Sequence, residues 1–142
     1  MNMLIVSQNM TNYDVDLPED VIYRINLAWI NDLQTLKEIL SKHKQHQIFL
    51  DLPINRTKPP NNKYSMEQIK PILEKYKNIK YFAISNVDSQ HVLTEFLEYI
   101  PKNILGVFIS LYGTRSYFLY ILSFKCSNDF DTCICFILYC TV

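Results

Sequence analysis

The sequence predicts an α/β fold in which parallel strands alternate with helices. Five short apolar runs recur at intervals of about 25 to 30 residues in the first 110 positions. Amphipathic segments with the spacing of helices lie between most of these runs. Most runs also end in polar residues, and α/β enzymes place their functional groups at that edge of a parallel sheet. These three observations predict both the sheet and the edge where a functional site would lie.

Each predicted strand is a short run of β-branched, aromatic or aliphatic residues. In the second strand, a period of two puts Arg24 and Asn26 on one face near the strand end. The third strand ends near Asp51 and is followed by a loop rich in Pro, Asn and Lys. The predicted strands are Met3–Ser7, Val21–Ala28, Ile48–Leu52, Lys80–Ser85 and Ile104–Ser110.

Three predicted helices begin at residues that favour N-caps. Asn31 and Ser65 are the predicted caps of the first two helices, and each has a Gln three residues later, as in a capping box. Asp88 or Ser89 is the predicted cap of the third. Pro71 lies inside the second helical pattern, so we expect a kink there or a helix that begins later.

The charge balance excludes several classes of function. Fourteen Lys and Arg residues balance 14 Asp and Glu residues, so no net charge favours nucleic acid or an anionic membrane surface. No apolar run approaches the roughly 20 residues of a membrane-spanning helix, and no signal peptide is visible. We therefore expect a cytoplasmic protein without nucleic-acid or membrane partners.

The composition changes near residue 111. All four cysteines and both glycines lie beyond residue 105, and charged residues become sparse. We therefore divide the chain into a partial βα barrel over residues 1–110 and an atypical tail, rich in Cys and aromatic residues, over 111–142. The apolar blocks of the tail are compatible with strands, a membrane-associating segment or non-native sequence.

The histidines and cysteines give no metal-site motif. The spacing Cys133-x-Cys135 is not that of a zinc site, and no histidine lies near it in the sequence. His43, His46 and His91 lie on or beside helices in polar surroundings, and we expect all three at the surface.

The order of the polar strand ends resembles the start of the pyruvate kinase barrel. Arg24-x-Asn26 is followed by a helix, then by a strand ending in Asp51, and then by a loop with Arg56-Thr57. The resemblance covers roughly residues 1 to 110. It implies a fold equivalent to about the first half of a TIM (β/α)₈ barrel.

The resemblance also implies roles for four residues. Arg24 corresponds to an arginine that neutralises the substrate's phosphate or carboxylate, and Arg56 resembles a second arginine in contact with the anion. Asn26 and Asp51 match positions that supply oxygen ligands to a monovalent cation, K⁺. In complete members of the family, phosphoenolpyruvate gives its phosphoryl group to ADP while Mg²⁺ holds the oxygens.

The chain departs from this family where the catalytic metal site belongs. The family has a Lys-Ile-Glu-type motif after the fifth strand, whereas residues 108–114 contain neither Lys nor a carboxylate. A full barrel also needs eight βα units and about 250 residues. We therefore expect a truncated or degenerate member with little or no kinase activity, in which residues after about 111 come from a shifted or unrelated frame. An incomplete barrel would also expose apolar edges and favour self-association.

Two other functions remain open from the sequence. The first is a fragment of a metal-dependent aldolase or citrate-lyase-like barrel that acts on a pyruvate enolate. The second is a non-enzymatic α/β interaction module, in which Arg24 only pairs with a carboxylate such as Asp51. In that case Arg56, with Lys58 and Lys63, belongs to a solvated loop.

Overall fold

A computed structural model describes residues 4–7, 13–87, 90–111, 117–124 and 133–140, and it shows an α/β fold. Five strands form an all-parallel sheet, and helices lie between the strands from the second onward. The predicted fold class is therefore confirmed, and the arrangement is that of part of a barrel. The elements are β1 (Ile5–Ser7), β2 (Ile22–Asn26), α1 (Leu33–Lys42), β3 (Gln47–Pro53), α2 (Met66–Lys75), β4 (Ile79–Val87), α3 (Gln90–Leu97) and β5 (Leu105–Leu111).

The strands lie side by side in chain order, from β1 to β5. Each crossover therefore moves to the next neighbour, and crossovers of a single hand place the connecting helices on the same face of the sheet. The main core cluster agrees with this, because it joins buried strand residues to residues from all three helices. Its helix members are Leu36, Ile39, Leu40, Met66, Ile69, Ile72 and Leu73, with Leu33, Val92, Phe96 and Leu97 partly buried against the cluster.

A smaller cluster is separate from this core. Ile22, Phe49 and Ala83 are buried together, with Tyr81 packed against them. The Phe49 and Tyr81 rings stack with centroids 6.0 Å apart. Side chains alternate between the two faces of a strand, so Arg24 and Asp51 share this second face.

Two side-chain caps set the starts of α1 and α2. Asp32, and not the predicted Asn31, is the N-cap of α1, and its carboxylate accepts a hydrogen bond from the Thr35 amide at 2.7 Å. That bond lowers the pKa of Asp32. The prediction for α2 is confirmed, since Ser65 forms a capping box with Gln68. The predicted caps of α3, Asp88 and Ser89, lie outside the described residues.

Pro71 does not delay the start of α2, which begins at Met66 and continues to Lys75. Proline lacks the amide that would bond to the Glu67 carbonyl one turn earlier. Pro71 and Glu67 are both exposed, so water can satisfy that carbonyl. The exposed side of the helix therefore tolerates a residue that its buried side would not.

β2 is shorter than predicted, because a 3₁₀ turn over Leu27–Trp29 follows Asn26. The Asn26 side-chain oxygen accepts a hydrogen bond from the Ala28 amide at 2.9 Å and caps this turn. An Asn at a strand end satisfies a free backbone donor in this way. β2 therefore ends at Asn26, whose side chain, and not a neighbouring strand, accepts the hydrogen bond from the Ala28 amide.

The tail contains two strands, β6 (Tyr117–Phe124) and β7 (Cys133–Cys140). β6 pairs antiparallel with β5, and β7 pairs antiparallel with β6, so both continue the same sheet. Of the three possibilities that the sequence left open for the tail, the backbone adopts strands. The domain division near residue 110 stays a prediction. In the part of the chain that the structure describes, no helix is long and apolar enough to cross a membrane.

Candidate functional site

An arginine and a buried aspartate meet where β2 and β3 end. Arg24 on β2 donates a hydrogen bond from Nη2 to Oδ2 of Asp51 on β3. The Asp51 side chain is 1% exposed, whereas the Arg24 side chain is 31% exposed. The neighbouring pair Asn26 and Asp51 sits in register across the two strands. The structure thus brings together three of the four site residues predicted from the sequence.

Serines on β1 and β4, the strands on either side of β2 and β3, extend this ion pair. Ser85 on β4 donates a hydrogen bond from Oγ to Asp51 Oδ1 at 2.7 Å. Ser7 on β1 accepts a longer hydrogen bond from Arg24 Nη1 at 3.4 Å. Ser7, Arg24, Asp51 and Ser85 form what we call the strand-end chain, which links four adjacent strands at the carboxyl edge of the sheet.

Burial makes Asp51 dependent on its partners. A carboxylate removed from water is stable only when its charge is paired and its oxygens accept hydrogen bonds. Arg24 supplies the charge, and Ser85 supplies a donor to the other oxygen. A guanidinium carries five N–H donors, and the bonds to Asp51 and Ser7 engage only two of its nitrogens. Asp51 and Ser7 therefore hold the Arg24 side chain in place while part of it remains exposed to solvent.

The predicted cation ligands are engaged by other donors. Both oxygens of Asp51 accept hydrogen bonds, and the Asn26 oxygen accepts one from Ala28. The positive Arg24 also lies directly against Asp51. As arranged, these two side chains do not fit a potassium ion. A cation would have to displace the hydrogen-bond donors from Asp51 and Asn26, and it would be repelled by the positive Arg24. The potassium assignment therefore keeps only the support of the resemblance.

Magnesium has no preformed cluster of ligands among the described residues. In that part of the chain, no group of three or more His, Cys, Asp or Glu side chains is placed to hold a metal ion. Residues 112–116, in the region where the family carries its metal motif, lie outside the described residues. The magnesium assignment stays an untested prediction.

Arg56, the second predicted anion contact, lies in the loop after β3. Its Nε donates a hydrogen bond to the Lys58 carbonyl at 2.9 Å. The side chain is half-buried, and no contact with Arg24 is found among the described residues. Arg56 is thus held within its own loop, and its role as a second anion contact stays a prediction.

The end of β4 carries a feature that sequence patterns did not indicate. Asn86 has a positive φ of 60°, and the pairing register with β5 shifts between Ser85 and Val87. Asn adopts this left-handed conformation more readily than most residues, and such bulges redirect a strand end. The irregularity lies next to the serine that contacts Asp51. Ser85 itself was recognisable as a polar strand end, but not as a partner of Asp51.

A cleft with an acidic wall lies away from the strand-end chain. Its volume is about 550 Å³, and it lies between the end of β3, the start of α2 and the end of α3. Glu67, Glu95 and Glu98 contribute carboxylates to its wall, and Tyr99 donates a hydrogen bond to Glu67 at 3.3 Å. A wall with three carboxylates does not suit a phosphate or carboxylate ligand. We therefore place the candidate anion site at Arg24 and not in this cleft.

Two histidines predicted at the surface are buried. His43 is 2% exposed and His46 is 3% exposed, so the prediction for both was wrong. The helical spacing was the missed signal, since His43 follows Leu40 by three residues and Ile39 by four, on the apolar side of α1. The side chain of His91 lies outside the described residues.

No protein-family profile, curated protein or solved structure matches the chain. A functional proposal therefore depends on the residues at the carboxyl edge of the sheet. Among these, the partly exposed guanidinium of Arg24 is the group best suited to contact a ligand.

Proposed function

We propose that the chain binds a small organic oxyanion of the phosphoenolpyruvate–pyruvate class, as a catalytically inactive relative of pyruvate kinase. The placement of Arg24 carries this proposal. Its guanidinium is at the carboxyl edge of parallel strands, where α/β proteins bind ligands, and it remains partly exposed. The planar fork of an arginine matches a carboxylate or phosphate in a bidentate fashion.

Asp51 and Ser85 act in this proposal as positioning residues. The Asp51 carboxylate holds one end of the guanidinium, and Ser85 holds the carboxylate. Fixing Arg24 before the ligand arrives lowers the entropy that binding would otherwise cost. The same ion pair leaves little net charge at the site, so we expect modest affinity. Arg56 is proposed as a second contact from the loop after β3.

We propose binding without phosphoryl transfer. Transfer would need a cationic side chain and carboxylates at the positions where the chain has residues 108–114. Those positions carry no Lys, Asp or Glu. A coupled assay should therefore detect no ADP-dependent formation of pyruvate, and its detection would refute this part of the proposal. Cleavage of 2-oxo acids would instead favour the lyase alternative.

Calorimetric titration tests the binding site directly. Phosphoenolpyruvate, pyruvate and inorganic phosphate are titrated into the wild-type chain and into Arg24→Lys and Arg24→Gln. Losing a charged hydrogen-bond donor should weaken binding about tenfold or more in Arg24→Gln, with a smaller loss in Arg24→Lys. Lys80→Gln, which removes an exposed charge from β4, is the matched control. Equal affinities in all four proteins would overturn the assignment of Arg24.

A second candidate function is a non-enzymatic α/β interaction module. The observation in its favour is that Asp51 is satisfied by Arg24 and Ser85 without any ligand. The strand-end chain would then only tie β1 to β4. A melting temperature that does not change on adding phosphoenolpyruvate, Mg²⁺ and K⁺ would favour this candidate over the first.

Self-association is proposed at the β1 edge. Among the described residues, Leu4 and Ile5 are the exposed large apolar side chains, at 59% and 40% exposure. Exposed strand edges with apolar side chains pair with other chains. Sedimentation velocity of the wild type and of Leu4→Lys tests this, since a lysine at the edge should shift the protein towards monomer.

A further inference from the structure

The buried histidines join α1 to the segment that precedes β2. The Nδ1 atoms of His43 and His46 lie 3.3 Å apart, at hydrogen-bond distance. His46 Nε2 lies 3.2 Å from the Leu17 carbonyl oxygen. Leu17 belongs to residues 13–18, in which Tyr13, Val15 and Leu17 pack against the main core. The imidazole pair therefore links the end of a helix to this segment, which we call the covering segment.

These contacts permit a single arrangement of protons in the neutral state. The Leu17 carbonyl can only accept, so His46 Nε2 must carry a proton and donate it. His46 Nδ1 is then an acceptor, and His43 Nδ1 must donate to it. His43 Nε2 is left without a proton, and it makes no hydrogen bond to the part of the chain that the structure describes. The pair is thus satisfied with one proton on each ring.

We propose that the His43–His46 pair is an acid-sensitive latch that holds the covering segment against the end of α1. An added proton enters either His43 Nε2, which makes no hydrogen bond to the described residues, or an Nδ1 that faces the other ring. The first creates a buried charge whose burial cost the Tyr13 backbone offsets only in part, and the second breaks the bond between the rings. Either route favours a state in which the imidazoles reach water and the covering segment is released.

No acidic group compensates this charge in the described surroundings of the rings. From β2, Tyr23 packs its ring against His43 with centroids 4.8 Å apart, and its buried hydroxyl has no hydrogen-bond partner among the described residues. From the covering segment come Tyr13 and Asp14, and Asp14 is engaged by Lys42 of α1. From the loop before β4, the neutral Asn78 donates to the His43 carbonyl at 3.1 Å.

The groups around His43 lower its pKa on balance, which is the direction required for release of the covering segment at low pH. Burial lowers the pKa of His43, the Tyr13 backbone opposes this, and the charges of His46 and Lys42 reinforce the lowering. The pKa in the released state is near the ordinary value of about 6.5. The closed state is therefore favoured above that pH and is lost as the pH falls towards the lower pKa of the closed state.

Ring NMR and tryptophan fluorescence test the latch in the full chain. Trp29 is the single tryptophan, and its carbonyl accepts a hydrogen bond from Tyr13 of the covering segment. Below pH 6.5, the ratio of released to closed forms should rise about tenfold per pH unit until the closed state titrates. Fluorescence and the amide signals of residues 13–18 should change together. Nitrogen-15 spectra of the rings should show the two tautomers derived above.

Three variants separate the latch from general acid unfolding. His43→Leu removes the titrating ring and should abolish the transition below pH 6.5, whereas His91→Gln, the matched control, should keep it. His46→Gln can preserve both hydrogen bonds and should hold the segment closed at pH 7.5. A His43 pKa at or above 6.5, or protonation of His43 that leaves residues 13–18 unchanged, would overturn the proposal. If His43→Leu fails to fold, the ring titration of the wild type decides alone.

Discussion

The strand-end chain and the histidine pair both bury polar groups, but they satisfy them in different ways. Asp51 carries a charge, and Arg24 and Ser85 meet both of its oxygens. His43 and His46 meet each other and the Leu17 carbonyl, and when both rings are neutral their two hydrogen bonds form with one proton on each ring. The buried charge of Asp51 is therefore compensated by a full set of partners. A buried neutral pair with a vacant ring nitrogen is sensitive to a single proton.

The largest effect is expected from removing the charge partner of Asp51. Arg24→Met should lower the free energy of unfolding by about 3 kcal/mol, because a buried carboxylate loses its counter-charge. Urea denaturation at pH 7.5 measures this. The double variant Arg24→Met with Asp51→Leu should recover much of the loss, since it leaves no charge behind. A single variant as stable as the wild type would show that Asp51 does not depend on Arg24.

A smaller loss is expected at the hydroxyl that completes the set. Ser85→Ala removes the hydrogen bond to Asp51 Oδ1 and should cost about 1.5 kcal/mol in unfolding free energy. Ser41→Ala is the matched control, since its exposed hydroxyl bonds only the Lys37 carbonyl of its own helix. Similar losses for the two serines would contradict the view that burial makes the Ser85 bond costly to lose.

The pH dependence of stability should separate the two regions. Burial lowers the pKa of His43 in the folded chain, so the unfolded chain binds more protons below pH 6.5. The free energy of unfolding should therefore fall as the pH drops below 6.5, by up to about 1.4 kcal/mol per unit. His43→Leu should flatten this slope, and Arg24→Met should leave it unchanged. A slope unaffected by His43→Leu would assign it to other groups.

The smallest effect is expected from the ion pair on the surface of the covering segment. Lys42 pairs with Asp14, which lowers the pKa of Asp14, and the Asp14 side chain is 94% exposed. Solvent and salt screen such a pair, so Asp14→Asn should leave the melting temperature almost unchanged. Differential scanning calorimetry at low and high salt checks this. A large loss would show that the covering segment is held mainly by this pair and not by the histidines.

Local patterns predicted the parts of the structure that depend on local interactions. Strand and helix positions follow from apolar periodicity, and the Ser65 cap follows from side chains three residues apart on the same chain segment. The placement of Arg24 and Asp51 at one edge follows from the ends of parallel strands, which meet at that edge. These features need no knowledge of how distant segments pack.

Some local predictions also failed, where two neighbouring residues or two local partners were both chemically possible. Asp32 displaced Asn31 as the cap of α1, and Asn26 bonded the following turn. Both alternatives were chemically open in the sequence. Only the backbone conformation at the start of each element selected one.

The sequence by itself therefore determined the α/β order and the polar edge of the sheet, because periodicity and capping are local. Tertiary structure alone decided which groups His43 and His46 contact, since the Leu17 carbonyl lies 29 positions before His46 in the chain. It also decided that Asp51 is occupied, because Arg24 and Ser85 reach it from neighbouring strands 27 and 34 positions away. Long-range contacts of this kind exist only in the folded chain, because they join segments that are far apart in the sequence.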